Sequence, residues 1–536
     1  MAADRVARGG SAHQDPHAMR HERTKLRKVL KRFDLICFTV VAFVSVDTIS
    51  SLGAYGGGQV LFWMVAAAVL YLLPSGLITA ELGSTFPVEG SPYAWTRMAF
   101  GRLSGSLTAV FYWMANPTWV GGTLSAAVVA TLSSGLMFNR ANGFGTVWSI
   151  VIGLVVVWSI AGVSIVELRW GKLAGTIGTF VRAAVVIVFL GLVGWFLIRH
   201  GKPAGTVTWG SLKPSLTGFL AVFALLQFNF VGFELSNSAS EEMRNPERDV
   251  PAMIARSGVC IVLIYVALTF GVLLIIPASG LSNVSGFVDA YSAVSGVFGA
   301  ARGSVGWVMG ILIILVTLTA GGVWIQGSAR TQAVAGLDGA APLALGRFSK
   351  SGTPIAMNLA SGIVASLFVI VVFAFASGGL GTFFAVALSL TVSLTAISYA
   401  FIFPAVIVLR KKYPDRARPY RIPGGTIALW ACVISTEFVI AVTTLSLLWP
   451  GLIDNILGRS YSITDTWGTS RLFFESVTLG SFGVIVLTGL AFYWIGRRNV
   501  AKGIVGENDL LALEQPAPAP TPSAAEAPLA QVAGIL

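Results

Sequence analysis

Charge is what this sequence has least of. Only 11% of its 536 residues are Asp, Glu, Lys or Arg, where soluble domains average about 25%. With 55% hydrophobic residues and a mean hydropathy of +0.78, a soluble globular chain is excluded. Cysteine is nearly absent too. Cys37, Cys260 and Cys432 lie far apart inside apolar segments, without metal-ligand spacing, and read as small core residues. The four histidines (His13, His17, His21, His200) all stand outside the apolar runs. A histidine-based metal site within the membrane is therefore excluded, and a nucleophile–base pair built on histidine with it. No Gly-rich loop of the GxxxxGK[ST] kind occurs, which argues against an ATP-driven pump. A soluble catalytic or output domain lacks room, since the longest polar interruption between spans, around 450–475, is about two dozen residues.

What is present is a succession of apolar stretches, each near the ~20 residues needed to cross a bilayer. Twelve are expected, at about 34–55, 60–84, 104–133, 145–166, 173–198, 215–240, 252–276, 303–330, 354–376, 379–409, 424–449 and 476–496. A polar, basic stretch precedes the first run, so no cleavable leader is expected. The net charge of +12 suits nucleic acid in magnitude but not in distribution. With both termini cytoplasmic, 27 of the 36 Lys/Arg fall on the cytoplasmic side and seven on the other, the asymmetry that orients membrane proteins. Nucleic acid is not an expected partner; the lipid bilayer is. Residues 1–33 read as a basic cytoplasmic tail whose final part, "RTKLRKVLKRF", suits an anionic lipid surface or simply enforces orientation. Residues 501–536, Pro/Ala-rich at "EQPAPAPTPSAAEAPLA", read as a disordered cytoplasmic tail.

Two spans break the rules of a lipid-embedded helix. The first runs "FDLICFTVVAFVSVDTISSLGAYGGG" and the sixth "FLAVFALLQFNFVGFELSNSASEE". Each carries a carboxylate, Asp47 and Glu234, and a carboxylate at the bilayer centre costs at least about 2.5 kcal/mol. Irregular backbone at that depth persists only where protein covers it or where it lines a cavity. Broken segments at corresponding positions of two halves point to the substrate site of an inverted-repeat carrier. Free N–H groups at one half-helix start and free C=O groups at another's end suit a zwitterion, such as an amino acid. A purely structural role for each carboxylate, bonded to backbone freed by a kink, is the alternative.

Four stretches then resemble a known family. "FVGFELSNSASEEMRNPERDVP", "AELGSTFPVEGSPYAWTRMAFG", "GSARTQAVAGLDGAAPLALGRFSKSGTP" and "YPDRARPYRIPGG" are similar to segments of the amino acid–polyamine–organocation transporters, and the likeness extends over residues 34–500. The resemblance implies an all-α integral membrane protein of the LeuT-type fold, with a 5+5 inverted repeat, about 12 transmembrane helices, and helices 1 and 6 discontinuous. Residues 34–200 would form the first repeat, 210–410 the second, and 411–500 the basic loop with helices 11 and 12.

The resemblance also implies roles. Backbone at Phe228, Val231 and Gly232 would receive the substrate's amino group, Phe228 would double as an aromatic gate, and Glu234 would serve recognition and coupling. Trp324 stands fifteen residues before Gly339, the spacing at which the arginine/agmatine exchanger places an occluding tryptophan; helix packing is the other reading. Asn116, beside Pro117, would face the site or pack. Glu437 reads as a contact between helices, and Glu81 and Glu89 as partners of nearby arginines such as Arg97.

Two departures from the family pattern carry weight. Where relatives hold a Gly-Ser-Gly break in span 1, the aligned residues here are Thr48, Ile49 and Ser50, preceded by Asp47 and followed by Ser51. A nearby negative charge favours an amine over a carboxylate, while the hydroxyls still suit a carboxylate. Arg182 in span 5 falls near a position where some relatives keep a lysine in place of sodium. Arginine supplies the charge without the protonation switch, since its pKa lies above about 12; snorkelling to an interface is the other reading. The expectation is therefore a secondary carrier of the plasma membrane, moving amino acids or else a polyamine or other organic amine. It would use no sodium, metal or cofactor, place any coupled proton on Asp47 or Glu234 or run as an exchanger, and work as a monomer or homodimer.

Overall fold

The computed structural model describes residues 32–165, 168–200, 207–238, 243–375, 379–464 and 469–505. The basic tail before Arg32, the Pro/Ala-rich tail after Val505, and the acidic pair Glu241–Glu242 lie outside the described residues. Among the described residues the chain is predominantly helical, with no β-strand. Nine helices there are long and apolar enough to cross a membrane, and Phe33–Phe43 and Ile355–Val371 are shorter apolar helices.

In chain order the elements that matter are α1 (Arg32–Phe43), α2 (Ile49–Gly56), α3 (Val60–Ala67), α4 (Leu73–Thr85), α5 (Ser91–Phe100), α6 (Arg102–Trp119), α7 (Ser125–Ser133), α8 (Thr146–Ile165) and α9 (Leu168–His200). They continue as α10 (Leu216–Asn229), α11 (Phe233–Asn237), α12 (Pro246–Ile275), α13 (Gly286–Val294), α14 (Arg302–Leu337), α15 (Ile355–Phe375), α16 (Gly379–Ile402), α17 (Ala405–Lys412), α18 (Gly425–Leu448), α19 (Leu452–Ile456) and α20 (Arg471–Ala501).

Single residues shape the long helices. Pro74 has no N–H, so the carbonyl one turn back loses its helical donor. A π-helical turn, Ala68–Leu72, joins α3 to α4 at that point, and Ser435 of α18 donates to the Leu70 carbonyl at 2.5 Å. Pro117 acts likewise in α6, which passes through a second π turn, Val120–Leu124, into α7. Within that turn, Gly121 lies on the Ala365 backbone of α15, and a Cβ on Gly122 would stand 2.5 Å from the Ala387 Cβ of α16. Small residues of this kind let helix backbones approach where lipid offers no hydrophobic driving force.

The end of the bundle that carries the Lys/Arg-rich segment 410–421 is tied by ion pairs. Arg410 grips Glu81 in a fork, Nε to Oε1 at 2.6 Å and Nη2 to Oε2 at 2.5 Å, and the Ile422 amide donates to the same carboxylate at 2.9 Å. Arg330 of α14 donates to Glu89 at 2.6 Å. Arg97 turns instead to Asp338, at 3.0 Å, which also accepts from Tyr93 at 2.5 Å and Arg102 at 3.4 Å. Glu81 and Glu89 thus have arginine partners, but the acid that Arg97 meets here is Asp338. Arg97 sits on α5 facing the end of α14, a pairing set by tertiary approach and not by sequence proximity.

Candidate functional site

Helix α1 stops at Phe43, and the chain runs unwound from Val44 to Thr48 before α2 begins at Ile49. A helix end leaves its last carbonyls without intrahelical donors, and here those of Ala42 and Phe43, with that of Val44 just beyond the helix, are met by side chains from three other helices. Trp324 Nε1 of α14 donates to Ala42 O at 2.8 Å. Tyr265 OH of α12 donates to Phe43 O at 2.5 Å and accepts from the Ser45 amide at 3.2 Å. Arg182 Nε of α9 donates to Val44 O at 2.7 Å. The guanidinium goes on to Val316 O at 2.7 Å, Thr319 Oγ1 at 2.9 Å and Gly178 O at 3.2 Å. A cation at a helix C-terminus is also where the helix dipole favours one.

The second break is made differently. Helix α10 ends at Asn229, Phe230 to Gly232 are unwound, and α11 starts at Phe233. Gly232 has φ +133, a conformation other residues rarely adopt. A Cβ there would lie 3.1 Å from the Phe43 ring and 3.2 Å from Trp324. Glycine is thus demanded twice, by backbone angle and by the approach of the first break. The two breaks touch. The Phe43 and Phe233 rings are 4.6 Å apart, and Thr48 Oγ1 donates at 2.5 Å to Asn229 Oδ1, whose amide is anchored on Leu225 O at 2.7 Å.

Both carboxylates are buried at the breaks, Asp47 at 3% and Glu234 at 1% exposure. Asp47 accepts from Ser45 Oγ and, at 3.1 Å, from Trp119 Nε1. Glu234 accepts from Tyr112 OH at 2.8 Å. The Trp119 ring stands 6.1 Å from Phe228, edge to face, and Tyr112 stands 6.3 Å from Trp324. Asn116 turns its amide back onto Tyr112 O at 2.8 Å. A cavity of about 970 Å³ lies between α2, α10, α16 and the α18–α20 connection, and none of the predicted site residues lines it. Its lining includes Ala224 and Leu225, one turn before Phe228. No group of three or more His, Cys, Asp or Glu gathers as a metal site among the described residues.

The structure moves the first break. Expected over Thr48–Ser50, it runs over Val44–Thr48, so Ile49, Ser50 and Ser51 form the first turn of α2. Ser50 Oγ accepts from the Phe287 amide at 2.6 Å and Ser51 donates to Asn283 O at 2.9 Å, one bond to α13 and one to the segment just before it. The reason lies in the tertiary caps, which end α1 after Phe43. Arg182 does not snorkel; it is 2% exposed and makes the four bonds given above. Tyr112, Trp119, Tyr265 and Phe43 do not stand out in the sequence. A polar-tipped aromatic in the middle of an apolar span, such as Tyr265, is the signal that was available, because such a tip seeks a partner when buried.

Two interrupted helices face each other in a helical membrane bundle, and a solved structure supports the fold. The manganese transporter of Eremococcus coleocola, solved as a histidine-to-alanine mutant, superposes with TM-score 0.53 at 11% identity, covering 88% of this chain and 94% of that one. The sequence model "Amino acid permease" matches residues 30–453, and the chain belongs to that family. Similar proteins include the uncharacterized transporter lpg1691 of Legionella pneumophila, 29% identical over 75% of this chain and 86% of its own length. The probable agmatine/putrescine antiporter AguD of Lactococcus lactis is 30% identical over 73% of this chain and 81% of its own. The branched-chain amino acid permease BcaP of Bacillus subtilis is 25% identical over 91% and 97%. The protein is a multi-pass membrane transporter of amino acids or amines, not an enzyme.

Proposed function

We propose that the protein is a secondary active transporter that moves amino acids across the plasma membrane by alternating access around its two breaks. The observation that carries this reading is the contact between them: Thr48 bonded to Asn229, and Phe43 against Phe233. The α1 carbonyls are already occupied by Trp324, Tyr265 and Arg182. A substrate ammonium is therefore assigned to the end of α10, at Phe228, Val231 and Gly232, with its carboxylate at the start of α2 beside Thr48. Phe228 and Trp324 close the site, and Asp47 and Glu234 couple transport to a proton or to exchange.

Sodium independence rests on Arg182, whose charge bridges the end of α1 and α14 and leaves that position no need of a cation. The arrangement we adopt has twelve spans, two inverted sets of five followed by two more, with both termini cytoplasmic. A second reading, transport of a polyamine or other amine, is favoured by the buried Asp47 at the break and by the likeness to AguD. Uptake into proteoliposomes tests both. Labelled amino acids are expected to enter without sodium. Failure of amino acids to enter, with uptake of labelled putrescine or agmatine in their place, transfers the assignment to amines. Strictly sodium-dependent uptake sinks the role given to Arg182.

A further inference from the structure

A groove of about 390 Å³ lies between α3–α4 and α12, on the outer face of the bundle and apart from the larger cavity. Its walls are almost wholly apolar, including Gly76, Ala80, Ile254, Gly258 and Val262, and Phe233 forms part of its lining. Glycines open it. A Cβ on Gly76 would stand 3.2 Å from the Phe233 ring and one on Gly258 3.6 Å from it. The lining runs from Ala68 to Ala80 on one wall and from Pro251 to Leu263 on the other. At 1.5 Å per residue that is about 18 Å, against ~15 Å for the hydrocarbon depth of one leaflet. The groove has the length of one acyl chain.

Exposed arginines stand along it. Arg256 shares a helical stripe with Val259 and Leu263, each 63% exposed, yet it sits more than two turns inside a membrane-crossing helix and is itself exposed. Arg248 is exposed about one turn before Pro251 on the same helix, and Arg421 is exposed next to Tyr420, which lines the groove. The neighbouring arginines Arg410 and Arg416 are engaged, by Glu81 and by the Thr85 carbonyl. On α12 a single exposed acid, Glu247, stands against Arg248 and Arg256. An arginine in lipid is stabilised by a phosphate at the interface.

We propose that this groove binds an anionic phospholipid, its acyl chain against Phe233 and its phosphate held by Arg256 and Arg421. Phe233 is the first residue after the second break, and its ring meets Phe43 at the first. The bound chain therefore packs on the part of the molecule that must move for access to alternate. This inference stands independently of which solute is carried.

The test equilibrates the purified full-length protein with mixed micelles of equimolar phosphatidylglycerol and phosphatidylcholine and counts retained lipid by native mass spectrometry. Phosphatidylglycerol is expected to be favoured by at least about tenfold, and Arg256→Gln and Arg421→Gln each to lower that preference by about fivefold. Gly258→Leu, which fills the groove, is expected to remove it. Equal retention of the two lipids by the unaltered protein overturns the proposal without any variant having to fold. A preference that survives the arginine substitutions, or survives Gly258→Leu, overturns it as well.

Discussion

The two breaks solve one problem in opposite ways. The first is imposed from outside: its residues, Val44 to Thr48, include no glycine, and the carbonyls at the end of α1 are held open by Trp324, Tyr265 and Arg182 from three distant helices. The second is built from within, by a glycine at φ +133 and an asparagine that bonds its own preceding turn. A break imposed by tertiary caps depends on the helices that supply them. A break written into local backbone persists until the glycine is changed. An alternating-access cycle that moves α9, α12 or α14 relative to α1 would therefore act on the first break before the second.

Substitutions can break this contrast. Arg182→Leu removes four hydrogen bonds and takes from the Val44 carbonyl, in the unwound segment, its side-chain donor, at ~1.5–3 kcal/mol for a bond to a charged group. It should cause the largest loss, seen as a fall in the melting temperature of the detergent-purified protein and in its yield. Arg182→Lys should recover part of this, since it restores charge without the fork. Unchanged melting for the leucine variant would mean that the first break does not need its caps.

Gly232→Ala comes next. Strain at a positive φ costs ~1–3 kcal/mol, and the methyl meets Phe43 and Trp324, so both melting temperature and uptake should drop. Tyr265→Phe keeps the ring but loses the bonds to Phe43 O and the Ser45 amide. A loss of ~1–2 kcal/mol is expected, with uptake impaired more than stability if the cap governs motion. Asp47→Asn and Glu234→Gln test function more than folding: each should abolish most uptake in proteoliposomes while the protein still purifies as a monodisperse species. Normal transport by both would remove their assigned roles in coupling. The smallest effect is expected for Ser50→Ala, which loses a single bond from the Phe287 amide, about 1 kcal/mol. A large uptake defect there would return the first break to Thr48–Ser50.

The second break could be read from Gly232 and Glu234 in an otherwise apolar run, because its cause lies within a few residues of the effect. The same reading misplaced the first break by several residues. Asp47 marked the neighbourhood correctly, but the unwinding is set by side chains that lie more than a hundred positions away in the sequence. Arg182 shows the limit from the other side. Its presence in an apolar span signals a function, yet only the packed bundle shows that its four bonds reach α1, its own helix and α14.

Composition and the length of the apolar runs were enough to make this chain a membrane bundle, and the polar residues inside two of them to mark interrupted helices, since the cost of placing polar groups in lipid falls on each residue where it stands. Where α1 ends, which carbonyls are capped, and which arginine meets which acid depend on approaches between helices far apart along the chain. Those approaches follow from close packing of the whole bundle, a property that no single segment holds.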